Sequence, residues 1–435
     1  MVATGAGARA LRIAPPGFDP RDVAPRTLRD GPWRVTSLAL DVSGNCNLAC
    51  RYCAEAATMP RRQPMTPDLL DAALALLRAG GPLGPGASLR FGSGEPLLAL
   101  PLLHRVVELL GDGQGGGGGY GGRNGDGNGD GNGNGGGARR PLLFLTTNGT
   151  LLDDATASWL FASGFYVKVS LDGPQPTHDA WRQRPGGDGT WGAVTEAVAR
   201  LVRLMPDRVS VTAVLCRGAD PDRVFAAAAA LGVKRIELVP VAHRDAAVRP
   251  ASADIGRYQA FVLDYARRYA AAGDGEAPPI LIRFAARVAR AMGYGNVAIP
   301  CGAGRSFLGA GADGGLYPCF RFIGLEEYRL GDVAAGPDPA RTNAFQRGPG
   351  RPYQGRGPCR ACWGAPLCGG PCYACAEMFG PGDGRPVAAH CEYTLADARA
   401  AVWLVNRLRR RDPRRLLTFI PGVADAGLID AALLE

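Results

Sequence analysis

Cys46, Cys50 and Cys53, in the run Ser43-Gly-Asn-Cys46-Asn-Leu-Ala-Cys50-Arg-Tyr-Cys53, are spaced C-x3-C-x2-C. Three thiolates so placed can hold three irons of a cubane iron-sulfur cluster, which ordinarily takes four cysteines. One iron is left open and can chelate the amino and carboxylate groups of a small molecule, so the motif is equipped for catalysis. The alternative is zinc, which needs four Cys or His ligands in a closed tetrahedron. No histidine lies near these cysteines.

The 435 residues suffice for a full core and suggest two to three domains. Twelve cysteines are too many for core filling. A chain of this length does not need disulfide staples, and the first thirty residues lack the basic, apolar and small-residue order of an export signal. No apolar run approaches the length of a membrane span. The expectation is a cytoplasmic protein with metal or cluster ligation and no membrane partner. The net charge of +9 comes mostly from scattered arginines, which fit a solvated surface and not a nucleic-acid site. One denser group, Arg407, Arg409, Arg410, Arg411, Arg414 and Arg415, follows an apolar helical pattern and could attract an acidic peptide or another anion.

The elements that must position the cysteines follow in order. Residues 1–32 lack a sustained period and read as a flexible arm. Val35, Leu38, Leu40 and Val42 form a strand that delivers the first cysteine loop. Thr66-Pro67 caps a helix carrying Leu70, Leu74 and Leu77 on one face, which Gly80 ends. A second strand, 88–92, ends in Gly92-Ser93-Gly94-Glu95-Pro96 and is followed by a helix through Leu103, Val106, Val107 and Leu110. Residues 111–137, almost wholly Gly, Asn and Asp, cannot bury surface and read as a disordered insertion. Further strands are expected at 142–147, ending in Asn148-Gly149, at 166–170, ending in Ser170-Leu-Asp172-Gly173, at 209–215 and at 236–239. Helical spacing appears at Val194, Val198 and Leu201 and through Ala226 to Leu231. Serial strand-helix units imply a parallel sheet, and each motif sits at the C-terminal end of a strand, where parallel barrels carry their chemistry. Asn148-Gly149 and Asp172-Gly173 are also ordinary turn residues. Residues 246–300 read as bridging helices with Tyr258, Phe261, Val262 and Tyr265 on an apolar face.

The cysteine triad with Tyr52 before its last member, and the strand-end motifs behind it, resemble the radical SAM superfamily over about residues 35–245. The resemblance implies an α/β fold built on a partial (β/α)6 TIM-like barrel, with S-adenosyl-L-methionine (AdoMet) on the open iron. By motif, Gly94, Glu95 and Pro96 match the family's Gly-Gly-Glu-Pro loop at the methionyl amino group, with Ser93 in place of the first glycine. Ser170, with Asp172 nearby, would lie at the ribose and methionyl end. Asn148 would face the nucleoside, and Arg182 would pair with the carboxylate, a match of guanidinium fork to carboxylate.

A second field of cysteines follows: Cys301, then Cys319 in Gly314-Gly-Leu-Tyr-Pro-Cys319, then Cys359, Cys362, Cys368, Cys372, Cys375 and Cys391. The order C-x12-G-x4-C, C-x2-C-x5-C-x3-C and a final C resembles the SPASM domain, which follows a radical SAM barrel and holds two auxiliary 4Fe-4S clusters. A zinc ribbon through Cys359, Cys362, Cys368 and Cys372 is the alternative. The SPASM pattern implies Cys301, Cys319 and Cys372 on the nearer cluster and Cys359, Cys362, Cys368 and Cys391 on the outer one. The nearer cluster then keeps an open iron or is closed by Cys375. Cys216, on an apolar strand, reads as a small core residue.

The resemblance implies a domain order of arm 1–32, barrel 33–245, bridging helices 246–300, SPASM domain 301–395 and helical tail 396–435. It implies three 4Fe-4S clusters and an electron donor such as flavodoxin or ferredoxin. The expected activity is oxidation or crosslinking of a precursor peptide or protein by hydrogen-atom abstraction. An anaerobic sulfatase-maturating enzyme is the second expectation, weakened because Phe320 stands where those enzymes place an Asp and no further cysteine lies between Cys301 and Cys319. A non-catalytic iron-sulfur or zinc scaffold is the third.

Overall fold

A computed structural model describes residues 35–55, 63–79, 87–111, 140–273, 275–294, 301–353, 357–382 and 384–419. The arm at 1–32, the stop at Gly80 and all of the Gly-rich stretch beyond Gly111 lie outside these residues.

The frame is one sheet in the order β11-β10-β9-β8-β1-β2-β3-β4-β5-β6-β7. Its strands are β1 (Ser37–Leu40), β2 (Ser88–Phe91), β3 (Leu142–Thr147), β4 (Phe165–Ser170), β5 (Val209–Leu215), β6 (Arg235–Pro240), β7 (Ile280–Leu281), β8 (Phe307–Ala310), β9 (Gly315–Tyr317), β10 (Gly331–Asp332) and β11 (Gly336–Pro337). Pairing is parallel from β8 through β1 to β7 and antiparallel from β8 to β11. Among the described residues β7 and β11 do not pair, so the barrel is partial.

The helices are α1 (Pro67–Ala79), α2 (Leu100–Leu110), α3 (Asp154–Ala162), α4 (Gln175–Trp181), α5 (Trp191–Leu204), α6 (Pro221–Ala229), α7 (Ser252–Ala271), α8 (Ile282–Ala291) and the long α9 (Ala388–Arg409), with the helices Pro339–Arg347 and Tyr373–Phe379 and shorter helical turns between α8 and α9. Local chemistry sets their starts. Asp153 accepts from Thr156 N at 2.8 Å ahead of α3. Asp220 caps α6 with Pro221 at the first position, where its missing N–H is not needed. Alternation then sorts the strands. Phe165, Val167 and Val169 of β4 and Ile236 and Leu238 of β6 are buried in the main core, whereas Lys168 and Glu237 point to the other side of the sheet and pair at 2.6 Å.

Two features depart from the expected plan. The segment 246–300 contains a parallel strand, β7, as well as α7 and α8; two residues are too few to show a period of two. The sheet also runs through the boundary expected at 300, because β8 pairs with β1 in parallel, Ser37 opposite Phe307. α9 starts before 396 and packs along α7 and α8. There Tyr258 lies 4.4 Å from Tyr393, ring centre to ring centre, and donates to Asp397 Oδ1 at 2.7 Å. No helix of the described residues is long and apolar enough to cross a membrane.

Candidate active site

The first cysteine loop leaves β1 at its C-terminal end and is held from several strand ends at once. Gly44 N donates to Asp41 Oδ1 at 2.9 Å and Cys46 N to Asn45 Oδ1 at 2.8 Å, which shapes the turn locally. From the end of β2, Glu95 N donates to Asn45 O at 2.9 Å. Gly94 has φ +58°, and a Cβ there would stand 2.1 Å from Asn45 O, so only glycine lets the two loops meet. From the end of β3, Asn148 Nδ2 donates to Asn47 Oδ1 at 2.8 Å and reaches Cys46 Sγ at 3.9 Å, while Asn47 Nδ2 donates to Thr150 Oγ1 at 2.9 Å. From α4, Trp181 O accepts from Arg51 N at 3.0 Å, and Gln183 O beyond it accepts from Ala49 N at 2.8 Å.

Two buried carboxylates lock this arrangement. Glu95 is fully buried and accepts from Leu97 N at 3.1 Å, Thr147 Oγ1 at 2.8 Å and Asn148 N at 2.7 Å, so it joins the ends of β2 and β3. Burial pushes its carboxyl up to about 7 against the pull of those donors. Asp172 takes Tyr52 OH at 2.5 Å and Arg182 Nε at 2.8 Å on Oδ2, and Val214 N at 2.8 Å on Oδ1. Tyr52, Gly94, Glu95, Asn148, Asp172 and Arg182 are thus brought together around the cysteine loop. Arg182 spends its Nε on Asp172. Pro96 opens the 3-10 turn Pro96–Ala99, and Ser170 is the last residue of β4, buried and opposite Thr212.

Sequence reasoning missed Glu55. It accepts from Gly94 N at 3.0 Å, and burial pushes its carboxyl up to about 7, eased by that backbone donor and by Arg321. A single Glu two residues past the last cysteine carries no pattern; only the fold brings it to Gly94. Cys216 is buried against Tyr52, Val241 and Val248, as a core residue.

Cys46, Cys50 and Cys53 are part-exposed. Burial, and behind it the neighbouring cysteines, push the Cys50 thiol up to about 12, although Arg182 works the other way. Ionising the thiols here would carry a cost that a bound iron cluster would offset. The other cysteines fall into two sets. Cys301, Cys319, Cys372 and Cys375 perturb one another, and the Cys372 and Cys375 thiols share a hydrogen bond. Cys359, Cys362, Cys368 and Cys391 line one cleft beside Thr394 and Leu395. Among the described residues no three of Cys, His, Asp and Glu are spaced to share one metal ion; a cubane takes each thiolate at a different iron. The donor sets fit such clusters: three cysteines and one open position at the barrel mouth, and four cysteines in each of the other two places.

A parallel partial barrel with a three-cysteine loop at the C-terminal ends of its strands defines a class of cluster-bearing domain. Residues 40–230 match the Radical SAM superfamily, and the chain carries a radical SAM domain. It is 35% identical over 151 residues to a GTP 3',8-cyclase of Parasynechococcus marenigrum, covering 33% of this chain and 35% of that protein. The chain spans 27 to 45% of the length of the curated relatives it matches. Among solved structures, anSMEcpe with bound AdoMet and Cp18Cys peptide covers 85% of this chain and 98% of its own at a TM-score of 0.66 and 19% identity. SuiB of Streptococcus suis bound to precursor peptide SuiA covers 82% and 76% at a TM-score of 0.53 and 16% identity. At these identities the likeness is one of fold.

Proposed function

We propose that this chain is a radical SAM/SPASM oxidoreductase that modifies a ribosomally made peptide by hydrogen-atom abstraction, with AdoMet and three 4Fe-4S clusters as cofactors. The observation that carries the reading is the convergence of Tyr52, Glu95, Asn148 and Asp172 on a loop whose three thiols leave one cluster position open. When bound, the reduced cluster supplies the electron that cleaves AdoMet to a 5'-deoxyadenosyl radical, chemistry beyond any side-chain acid or base. The protein's own part is placement. Cys46, Cys50 and Cys53 hold the cluster; Glu95 and Asp172 fix the strand-end loops that would cradle AdoMet; Gly94 allows the close backbone approach. Ser170, Asn148 and Arg182 would meet the ribose, nucleoside and carboxylate, Arg182 through Nη1, since Asp172 takes its Nε at 2.8 Å and its Nη2 at 3.5 Å. The chemistry requires that water and oxygen be kept from the site.

A peptide substrate is supported by the fold shared with anSMEcpe and SuiB, both described with bound peptides. Sulfatase maturation, the activity of anSMEcpe, is the second reading; Phe320 in place of an acidic base speaks against it. Cytoplasmic residence and a flavodoxin- or ferredoxin-type donor belong to the same proposal. The test is anaerobic reconstitution with iron and sulfide, addition of AdoMet and dithionite, and chromatography for 5'-deoxyadenosine. Wild type is expected to form it and Cys46→Ala to form none; a Cys46→Ala variant that still made the nucleoside would refute the assignment. Incubation with a short peptide encoded beside the gene is expected to remove hydrogen from that peptide, read by mass spectrometry.

A further inference from the structure

α8 sets Arg283, Arg287 and Arg290 four and three residues apart, which places them along one stripe of the helix. This stripe runs beside the outer cysteine set. Arg290 donates through one guanidinium nitrogen to Leu367 O at 3.1 Å and to Cys368 O. Gly369, at φ +68°, lies so near that a Cβ there would stand 3.1 Å from the same guanidinium, so the backbone carrying Cys368 is laid directly on the cation. Arg283 donates to Thr394 Oγ1 at 3.4 Å, and Thr394 lines the cleft formed by Cys359, Cys362, Cys368 and Cys391. Between these two anchors sits Arg287.

The charges do not balance. Arg283 Nε and Arg287 Nε are sealed from solvent with no hydrogen-bond partner. The carboxylate facing them is Asp397 of α9: Oδ1 takes the Tyr258 hydroxyl, and Oδ2 is sealed without a partner. Glu237, on the Arg283 side, is held by Lys168 at 2.6 Å. Three guanidinium groups therefore face one available carboxylate. Guanidinium nitrogens sealed from water without a counter-charge are destabilising. The surplus is offset once the cleft holds an anion, and four thiolates outweigh the positive charge of a cubane core.

We infer that Arg287, flanked by Arg283 and Arg290, is the fixed counter-charge of the outer cluster and holds its reduction potential up. The inference rests on the proposed reading that Cys359, Cys362, Cys368 and Cys391 hold a 4Fe-4S cluster. Each one-electron reduction adds a negative charge to that cluster, and a cation in a low-dielectric surrounding stabilises the reduced form more than the oxidised one. The arginine stripe makes the outer cluster a better electron acceptor than it would be without those charges, able to take the one electron released when a substrate radical closes into a new bond and to hand it to a soluble one-electron carrier.

The test is a dithionite titration of the reconstituted full chain followed by electron paramagnetic resonance, with Cys391→Ala identifying the outer cluster's signal. Arg287→Gln is expected to shift that cluster's reduction equilibrium about tenfold toward the oxidised form, ~59 mV for one electron. Asp397→Asn, which removes the competing negative charge, is expected to shift it the other way, with the other two signals unmoved. In the chelator-stripped chain, Arg287→Gln is expected to unfold at a higher denaturant concentration than wild type, because the uncompensated cation is gone; an arginine that merely packs would lower it. Shifts of the same sign in both variants, or none, overturn the inference while leaving the peptide-modifying reading intact. A wild type with iron and sulfide for fewer than three clusters and no signal lost in Cys391→Ala overturns the cluster assignment itself.

Discussion

Asp172 offers the sharpest test of how the cysteine loop is held. Its carboxylate receives Tyr52 from the loop, Arg182 from beyond α4 and Val214 N from β5, and the Arg182 and Asp172 side chains are 9% and 1% exposed. Asp172→Asn keeps the shape but turns one acceptor oxygen into a donor. With the amide nitrogen at Oδ2 it meets Arg182 Nε–H, and at Oδ1 it meets Val214 N–H, so one donor always faces another. Loss of the charge also leaves Arg182 buried without its partner. Removing one member of a buried pair costs about 3–5 kcal/mol. Tyr52→Phe removes one hydrogen bond to a charged acceptor, about 1.5–3 kcal/mol. Because both changes act on the same oxygen, the double variant is expected to cost about 1–2 kcal/mol less than the sum. The assay is urea unfolding of the chelator-stripped chain followed by fluorescence, with Trp181 as a local reporter 6.2 Å from the Tyr52 ring. Strict additivity, or a cost below about 1 kcal/mol for Asp172→Asn, would show that this carboxylate does not tie the loop to the barrel.

Three further outcomes follow from the same geometry. Gly94→Ala is expected to destabilise the β2-end loop and abolish AdoMet-dependent change in the cluster's spectrum, since the new Cβ would stand 2.1 Å from Asn45 O at a left-handed φ; an unchanged spectrum would place the AdoMet cradle elsewhere. His178 is buried, with Nδ1 accepting from Asp172 N at 3.1 Å and Nε2 against Thr190 Oγ1 at 3.0 Å. Burial pushes its imidazole down to about 4, below the unfolded value near 6.5. Its contribution is therefore complete above about pH 6.5 and lost as pH falls toward 4, on the order of 3 kcal/mol in all, and His178→Gln should flatten the acid limb of the stability profile. Cys375→Ala is expected to alter the nearer auxiliary cluster's resonance signal, given the hydrogen bond between the Cys372 and Cys375 thiols; an identical signal would mean that this cluster keeps an open iron.

Strong local patterns made most of the barrel legible. β3 and β5 fall on the residues that alternation and flanking turns predict, and the strand-end motifs lie together because a parallel sheet gathers all its C-terminal ends on one side. α3 escaped notice because its apolar residues do not form one face: Ala157 and Leu160 are buried while Phe161 is 45% exposed. β7 was too short to announce itself. Contacts between distant segments were beyond reach for a different reason. Glu55 meets Gly94 across 39 residues, and Arg290 of α8 meets Cys368 across 78, so neither role leaves a local trace. Arg182 illustrates a partial reading: its type and place were legible, but its engagement with Asp172 appears only when β4 and α4 fold back on each other. Of the C-terminal arginine cluster, Arg415 turns out to be structural, bonded to Ala272 O at 2.8 Å and to Tyr269 O, while Arg407, Arg409, Arg410, Arg411 and Arg414 remain exposed.

The pairing of β8 with β1 bears on how the molecule is made. The partners are separated by 270 residues, and joining chain ends so far apart costs about 5 kcal/mol in loop entropy. At ordinary translation speeds the first strand waits on the order of 15–50 s for its neighbour to be synthesised. Through that interval one edge of β1 offers bare N–H and C=O groups to any passing strand, and Asp41, at the root of the cysteine turn, lacks the Ala310 carbonyl that later anchors its N–H. On the proposed reading, iron-sulfur insertion at Cys46, Cys50 and Cys53 would accordingly be a late event on the ribosome's timetable, and expression with slowed translation or scarce holdase chaperone should yield aggregates before it yields empty but folded protein.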